Sequence, residues 1–384
     1  MGFTVITSAA SHRRVARGRD WLKERAPTEE ILIIGATLGP ANELARSLAQ
    51  DKRASFGYHR LSFGQLASAL ARPVLAAQRT VPLAALGIQA VANRAIHKLS
   101  EIGGLGRYAK LTSGPGFARA IANVITELRL EQIEPDALAH VAPDLRPLLQ
   151  AYERELAEHG FTDWPGVLRT ATAAVTNPGC RHQLLGLPTL LLDVPLTTAS
   201  EIALVRALCA RSPEMMVTVP AMDTVTLARL PSDLGADIVD LDSPDASPPG
   251  LKQKENGSLS RLQRHIFNDV LAAPQVQRDE QVIVFSAPGE SRECVEIVRR
   301  VLGLAHEGIA FDRIAVLLRS PQEYRSHVEE AFGRAKVPTY FARGAVRPDP
   351  AGRAFHALLC CAAENLSAQR FAEYLSLSQV PDAN

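Results

Sequence analysis

The stretch FTVITSAASHRRVARGRDWLKER (residues 3–25), followed by ILIIGAT (31–37) and ANELARSLAQ (41–50), decides the fold. FTVITSA is a short apolar β run, RRVARGRDWLKER a basic helix, ILIIGAT a wholly apolar strand, and ANELARSLAQ a second helix. Two buried strands joined by a helix make a βαβ unit and therefore a parallel sheet, since parallel neighbours need a crossover connection. A third piece, ASFGYHRLSFGQLASALA (54–71), reads as a short edge strand turning into a helix at Ser62 or Phe63.

Further along, the pattern changes. From residue 81 to 175 apolar residues recur three and four apart through LAALGIQAVANRAIHKL, GFARAIANVITELRL and LRPLLQAYERELAEHG, which predicts a helical insertion. Its breaks, GGLG at 103–106, SGPG at 113–116 and the prolines at 135, 143 and 147, are helix-stop chemistry. LPTLLLDVP and EMMVTVP, separated by the helix ASEIALVRALCAR, restore the βαβ pattern. Residues 231–245 then hold five aspartates and no base, and are read as a solvated loop or linker. Clustered aspartates can bind a divalent cation, but the spacing is not that of an EF-hand. The last hundred residues repeat the opening, with strands expected at QVIVFSA (281–287), DRIAVLLR (312–319) and VPTYFA (337–342) between helices. The chain stops soon after a helix, so these residues are expected to be the front portion of a longer protein.

A chain of 384 residues predicts two or three domains. With 46% hydrophobic and 22% charged residues it is ordinary globular material, which excludes a disordered or fibrous chain. No stretch approaches the roughly 20 apolar residues of a membrane span, and the N-terminus lacks the order of a signal peptide, so a soluble, cytoplasmic protein without a membrane partner is expected. Forty-two Lys and Arg against 41 Asp and Glu leave a formal charge of +1, so any nucleic-acid binding must use a local basic surface. The five cysteines (Cys180, Cys209, Cys294, Cys360, Cys361) show no CxxC pair and are read as reduced thiols rather than a zinc or iron–sulfur site.

Ligands of an open parallel sheet bind beyond the carboxyl ends of its strands. The first such loop reads Ser8-Ala9-Ala10-Ser11-His12-Arg13-Arg14. A phosphate-binding P-loop needs glycines whose N–H groups cradle phosphate, a lysine for the β and γ oxygens, and Ser or Thr for Mg²⁺. GxxxxGK[ST] is absent from the whole chain. Arg13 and Arg14 can meet a phosphate at the helix start or lie solvated; a basic first turn opposes the helix dipole, and either arrangement relieves it. Asp193 ends the strand LLLDVP where an ATPase would carry Asp-Glu, but Val194 follows it. A lone carboxylate there serves as a metal ligand, a helix N-cap or a structural acceptor. No HExxH, no GxSxG and no paired Cys/His cluster appears, and His306, His327 and His356 lie in helical patterns.

In order and spacing, VITSAASHRRVARGRDWL, ILIIGATLGPANELARSLAQ and GYHRLSFGQLASALA resemble the opening of superfamily 1 (UvrD-like) helicase-like proteins. The resemblance is nearest to the AddB-type subunit of bacterial AddAB helicase–nucleases and to related PD-(D/E)XK nuclease family proteins. GPGFARAIANVITELRLEQIEPDAL and LLQAYERELAEHGFTDWPGVLRTA look like the helical 1B insertion of that family. APGESRECVEIVRRVLGLAHEGIAFDRIAVLLRSPQEYRSHVEEAFGRAKVPTYFARG resembles the start of its second motor domain.

The resemblance implies an α/β protein with two RecA-like (P-loop NTPase-like) parallel-sheet domains. The first would comprise residues 1–80 and 176–275, with a 1B-like insertion over 81–175, and a truncated second would begin over 276–384. It implies a degenerate nucleotide loop at Ser11, Arg13, Arg14 and Asp193. It places Thr37, Asn42, Ser62, Phe63 and Arg319 against DNA, and Glu293 in a second-domain motif. Phe63 can stack a base or pack in the core, and Arg319 can contact DNA or face solvent. Because the Walker A lysine, the Walker B Asp-Glu pair and a GDxxQ-type motif are missing, the motor is expected to be inactivated, as in RecC-like partners. No cofactor is expected in this chain: neither ATP nor Mg²⁺ is expected to bind, and an iron–sulfur cluster would belong only to a C-terminal nuclease region. The expected role is a DNA-holding or scaffold module in double-strand-break repair. Its partners would be single-stranded or duplex-end DNA and an AddA-like subunit. The alternatives are a protein-interaction scaffold without DNA contact and a divergent ATPase.

Overall fold

The computed structural model describes residues 2–26, 28–52, 56–112, 114, 116–230, 237–243, 257–266, 279–342 and 350–377. The chain divides into two compact units, Met1–Val282 and Ile283–Asn384.

The first unit begins with β1 (Gly2–Ser8), α1 (Ser11–Lys23), β2 (Ile31–Gly35), α2 (Leu38–Lys52), β3 (Tyr58–Ser62) and α3 (Phe63–Ala77). A helical stretch follows, with β4 (Val81–Pro82), α4 (Ala85–Glu101), α5 (Phe117–Leu130), α6 (Leu138–Val141), α7 (Leu145–Glu158), β5 (Phe161–Thr162) and α8 (Trp164–Thr176). The chain then returns through β6 (Thr189–Leu192), α9 (Ala199–Arg211), β7 (Glu214–Pro220), α10 (Thr224–Arg229), β8 (Asp237–Asp240) and α11 (Ser258–His265). β4 and β5 pair only with each other, whereas the other six strands form one sheet in the order β3-β2-β6-β7-β1-β8. Every neighbouring pair in it is parallel.

Helices cover both faces, as strands without a polar side require. On one face Ile6, Ile31, Ile33, Leu190, Leu192 and Met216 pack with Trp21 and Leu22 of α1 and Leu44 and Leu48 of α2. On the other, Val5, Leu32, Ile34, Leu191 and Val217 pack with side chains of α3, α8 and α9, among them Leu66, Leu168 and Leu204. Burying each such side chain contributes about 1.5–3 kcal/mol, and this layer sandwich is where most of the unit's stability resides. At the end of β2 the chain doubles back so tightly that a Cβ on Gly35 would lie 2.5 Å from the Thr37 carbonyl oxygen, so only glycine fits.

Two expectations change here. The insertion was expected to run to residue 175, but α8 presents Val167, Leu168, Ala171 and Val175 to the sheet-side core. Its apolar stripe completes the layer beside α3 and α9. The separately packed helical cluster draws instead on α4, α5 and α7, through residues such as Val91, Ile96, Ile121, Ile125, Leu149 and Tyr152. The second change concerns the acidic stretch: residues 237–240, expected in a solvated loop, form β8 and pair with Thr4–Thr7 of β1. An aspartate at each end and exposure of all four residues suit an edge strand, whose outer side faces water. Residues 241–243 form a turn, as expected of a loop, and 231–236 and 244–245 lie outside the described residues.

Helix α8 and the insertion meet at a buried ion pair. Asp163, fully buried, caps α8 by accepting from the Gly166 N–H at 3.0 Å. Its carboxylate also accepts from Arg129 Nε of α5 at 2.8 Å and from the Tyr152 hydroxyl of α7 at 3.3 Å. Burial and the Asp163 charge push the Tyr152 hydroxyl pKa well up, so it stays a donor.

The second unit contains α12 (Glu290–His306), α13 (Pro321–Arg334), α14 (Pro350–Ala363) and α15 (Ala368–Leu377). Cys294, Val298, Val301, Val328 and Phe332 form the α12–α13 core. The strands expected at 281–287, 312–319 and 337–342 are not strands: among the described residues of this unit none pairs in a ladder. Their apolar composition gives a propensity, but a strand needs neighbours, and Val284, Leu317 and Tyr340 are each more than 90% exposed. Among the described residues, no helix of the chain is long and apolar enough to cross a membrane.

Candidate functional site

The loop from β1 into α1 lies at the carboxyl end of the sheet, where a parallel sheet opens its ligand crevice. Internal carboxylates fill it. The Ser8 hydroxyl and the Ala9 N–H donate to Asp242, just beyond β8, at 2.8 and 2.6 Å. Arg13 Nη1 donates to the Leu241 carbonyl at 2.9 Å and to Asp242 Oδ1 at 3.2 Å. A backbone N–H, a hydroxyl and a guanidinium converging on one anion are what such a loop offers a phosphate, and Asp242 takes that place.

Arg14 is only 4% exposed and reaches across β7 to Asp193, at the end of β6. The contact is a two-pronged fork, Nε to Oδ1 at 2.9 Å and Nη2 to Oδ2 at 2.8 Å. Arg14 Nη1 also donates to the Ser8 carbonyl. From the intervening strand, the Thr218 hydroxyl donates to Asp193 Oδ1 at 2.8 Å and accepts from the Asp193 N–H at 3.0 Å. Asp193 adopts a left-handed φ of +48°, a conformation unfavourable for a residue with a Cβ and held here by these contacts. Neither sequence expectation for the arginines describes this outcome: the basic first turn is relieved by two carboxylates of the chain itself. Ser11 opens α1 and is exposed.

The other expected site residues divide. Gly35 and Ser62 are register partners, so the turn carrying Thr37, which leads into α2 and Asn42, leaves β2 beside Ser62 at the end of β3. Thr37 is exposed and Asn42 half-buried. The Ser62 hydroxyl is engaged in a capping box, accepting from the Gln65 N–H at 3.2 Å while Gln65 Oε1 accepts from the Ser62 N–H at 2.9 Å. Phe63 is 6% exposed within the sheet-side core and has no face for a base to stack on, which corrects its expected DNA-facing role. In the second unit Arg319 is exposed just before α13. Glu293 accepts from the Tyr324 hydroxyl at 2.8 Å and so ties α12 to α13. That bond, with burial and the Glu293 charge, leaves the Tyr324 pKa pushed up to about 12.

Four residues escaped the sequence reading. Asp242 and Thr218 complete the crevice. Trp164 and Arg72 border a solvent-open hollow of about 530 Å³ with Ser62, Gly64, Gln65, Ser68 and Ala69. The signal for Arg72 was available, since residues 64, 68 and 72 recur on one helical stripe; nothing local marked Trp164 as its neighbour.

Glu155, Glu158 and His159 bring three ligand atoms within 4.8 Å of one another. Here the carboxylates take part in an ion-pair network. Lys98 bonds the buried Glu155, and Arg94 Nε adds a second cation at 3.0 Å. Burial alone would raise the Glu155 pKa, but these cations hold it below the usual value. All five cysteines are free thiols.

No protein-family model matches the chain, and no curated protein gives a significant match.

Proposed function

We propose that this protein is a DNA-binding or scaffold module of the helicase–nuclease class acting in double-strand-break repair, and that it does not hydrolyse ATP. In this reading the six-stranded unit is a RecA-like domain with a helical insertion, the second unit is the start of another, and the protein works in the cytoplasm beside an AddA-like partner. The observation that carries it is the filled crevice. Arg13 and Arg14 sit where a motor would grip phosphate and are engaged by Asp242 and Asp193, so a nucleotide would have to displace two ion pairs to enter.

Affinity for a labelled single-stranded oligonucleotide, measured against salt, tests this. A steep loss between low and moderate salt is expected, since release of condensed counterions drives such binding, and purified protein should release no phosphate from ATP. Absence of binding at low salt overturns the DNA reading. DNA-dependent phosphate release, abolished by Arg14→Ala, overturns the inactive motor.

One observation favours a second reading, a platform for a protein partner. Val284, Leu317 and Tyr340 of the second unit expose apolar surface that a partner subunit could cover. Retained partner binding without DNA affinity would select it.

A further inference from the structure

We propose that the hollow between Trp164 and α3 is a base-stacking site for single-stranded nucleic acid, with the indole of Trp164 as the platform and Arg72 as the contact to the backbone phosphate. The inference rests on the DNA-binding reading above and gives it a place. Ser62 ends β3 and caps α3, so the hollow starts at the carboxyl end of the sheet's edge strand, the end at which parallel sheets receive ligands, and runs along α3 to Arg72. Its volume of about 530 Å³ is enough for a nucleoside.

The chemistry is that of a stacking platform. Gly64, Ser68 and Ala69 give the helix a low floor, and a Cβ on Gly64 would already touch the Trp164 ring at 3.7 Å, so the indole lies directly against the helix. The ring is half-buried: part of it packs on the sheet-side core and part lines the hollow. It is also fixed in place, because Trp164 is the first residue of α8 and follows Asp163, which Arg129, Tyr152 and the Gly166 N–H hold. A preset aromatic loses little conformational freedom on binding. Arg72 is exposed and has neither a hydrogen bond nor an ion pair among the described residues, unlike Arg13 and Arg14 in the crevice. A flat aromatic beside an unengaged guanidinium, over small and polar side chains, suits a base and its phosphate, because every base presents a π face.

The chain has two tryptophans, and the other is silent toward ligand. Trp21 is 2% exposed, donates its indole N–H to Glu214 at 2.7 Å and lies under the Arg25 guanidinium. In the full-length Trp21→Phe chain, indole emission therefore reports Trp164; if that variant does not fold, the unsubstituted chain serves. Titration with a thymidine 12-mer at low salt should quench this emission saturably, with a uridine 12-mer as the parallel arm. By anisotropy of the labelled 12-mer, Trp164→Ala should weaken binding on the order of 10-fold, and Arg72→Ala should weaken it and lower the salt slope by about 1. Binding of the 12-mer with unchanged emission and undiminished affinity in both variants overturns the stacking site and leaves the proposed function standing. No binding by folded protein at low salt overturns both. Quenching by the uridine 12-mer alone keeps the hollow as a stacking site and overturns the DNA assignment.

Discussion

Two places beside one sheet have opposite electrostatic characters. The crevice after β1 is rich in charge, and every charge described there is answered from within: Arg13 by Asp242, Arg14 by Asp193. The hollow after β3 has one cation, Arg72, which has no partner among the described residues, beside a half-exposed indole. The lesson is that basic residues in a sequence measure potential, not availability. The site best supplied with arginines is closed, and the site with one is open.

The largest expected effect separates the hollow from the core behind it. Phe63 begins α3 and faces inward, so Phe63→Ala should cost about 3–5 kcal/mol in urea unfolding while the folded fraction binds single-stranded DNA normally. Unchanged stability with lost DNA affinity would return Phe63 to the binding surface and erase the contrast. Next comes the crevice. Arg14→Ala leaves Asp193 without its fork, and a loss of about 3 kcal/mol is expected, the low end for a buried pair because the Asp193 side chain is 27% exposed. The double variant Arg14→Met with Asp193→Asn should recover most of that loss, since no charge is then stranded while Asn tolerates the left-handed φ and can still accept from Thr218; a double variant no more stable than Arg14→Ala would mean that the pair is not the reason.

The smallest effect is a dependence on pH at the opposite end of α1. A hydrogen bond from Arg25, with help from the Trp21 indole, holds the Glu214 carboxyl below its ordinary pKa despite partial burial. A carboxylate whose folded pKa is depressed contributes stability that is present above its unfolded pKa and lost as the pH falls through the folded one. The difference in melting temperature between the native chain and Glu214→Gln should therefore shrink from pH 7 toward pH 3. A difference that stays constant over that range would remove the ion pair from the account of how α1 is anchored.

The parallel sheet was legible because ILIIG and TLLL are apolar on both faces, which a strand buried between helix layers requires. The helical cluster was legible from its spacing. What failed did so where local pattern and long-range pairing diverge. The DIVD segment looks solvated until β1 is placed beside it, and the Arg14 partner lies 179 residues away, a distance no local pattern encodes. The three apolar runs of the second unit failed in the other direction: they have the composition of strands without ladder partners. Trp164 was hidden for a related reason, since its neighbours on α3 come from a stretch about a hundred positions earlier in the chain.

The order in which the chain is made adds a consequence. β1 leaves the ribosome before the other strands of its sheet, yet both of its neighbours, β7 and β8, begin more than 200 residues later. At translation rates of about 5–20 residues per second, Ser8 and Arg13 wait roughly ten seconds or more for Asp242. Through that interval the nascent segment has two unzipped edges and an uncompensated basic turn. Conditions that slow elongation midway through the chain should prolong its exposure to chaperones and to self-association.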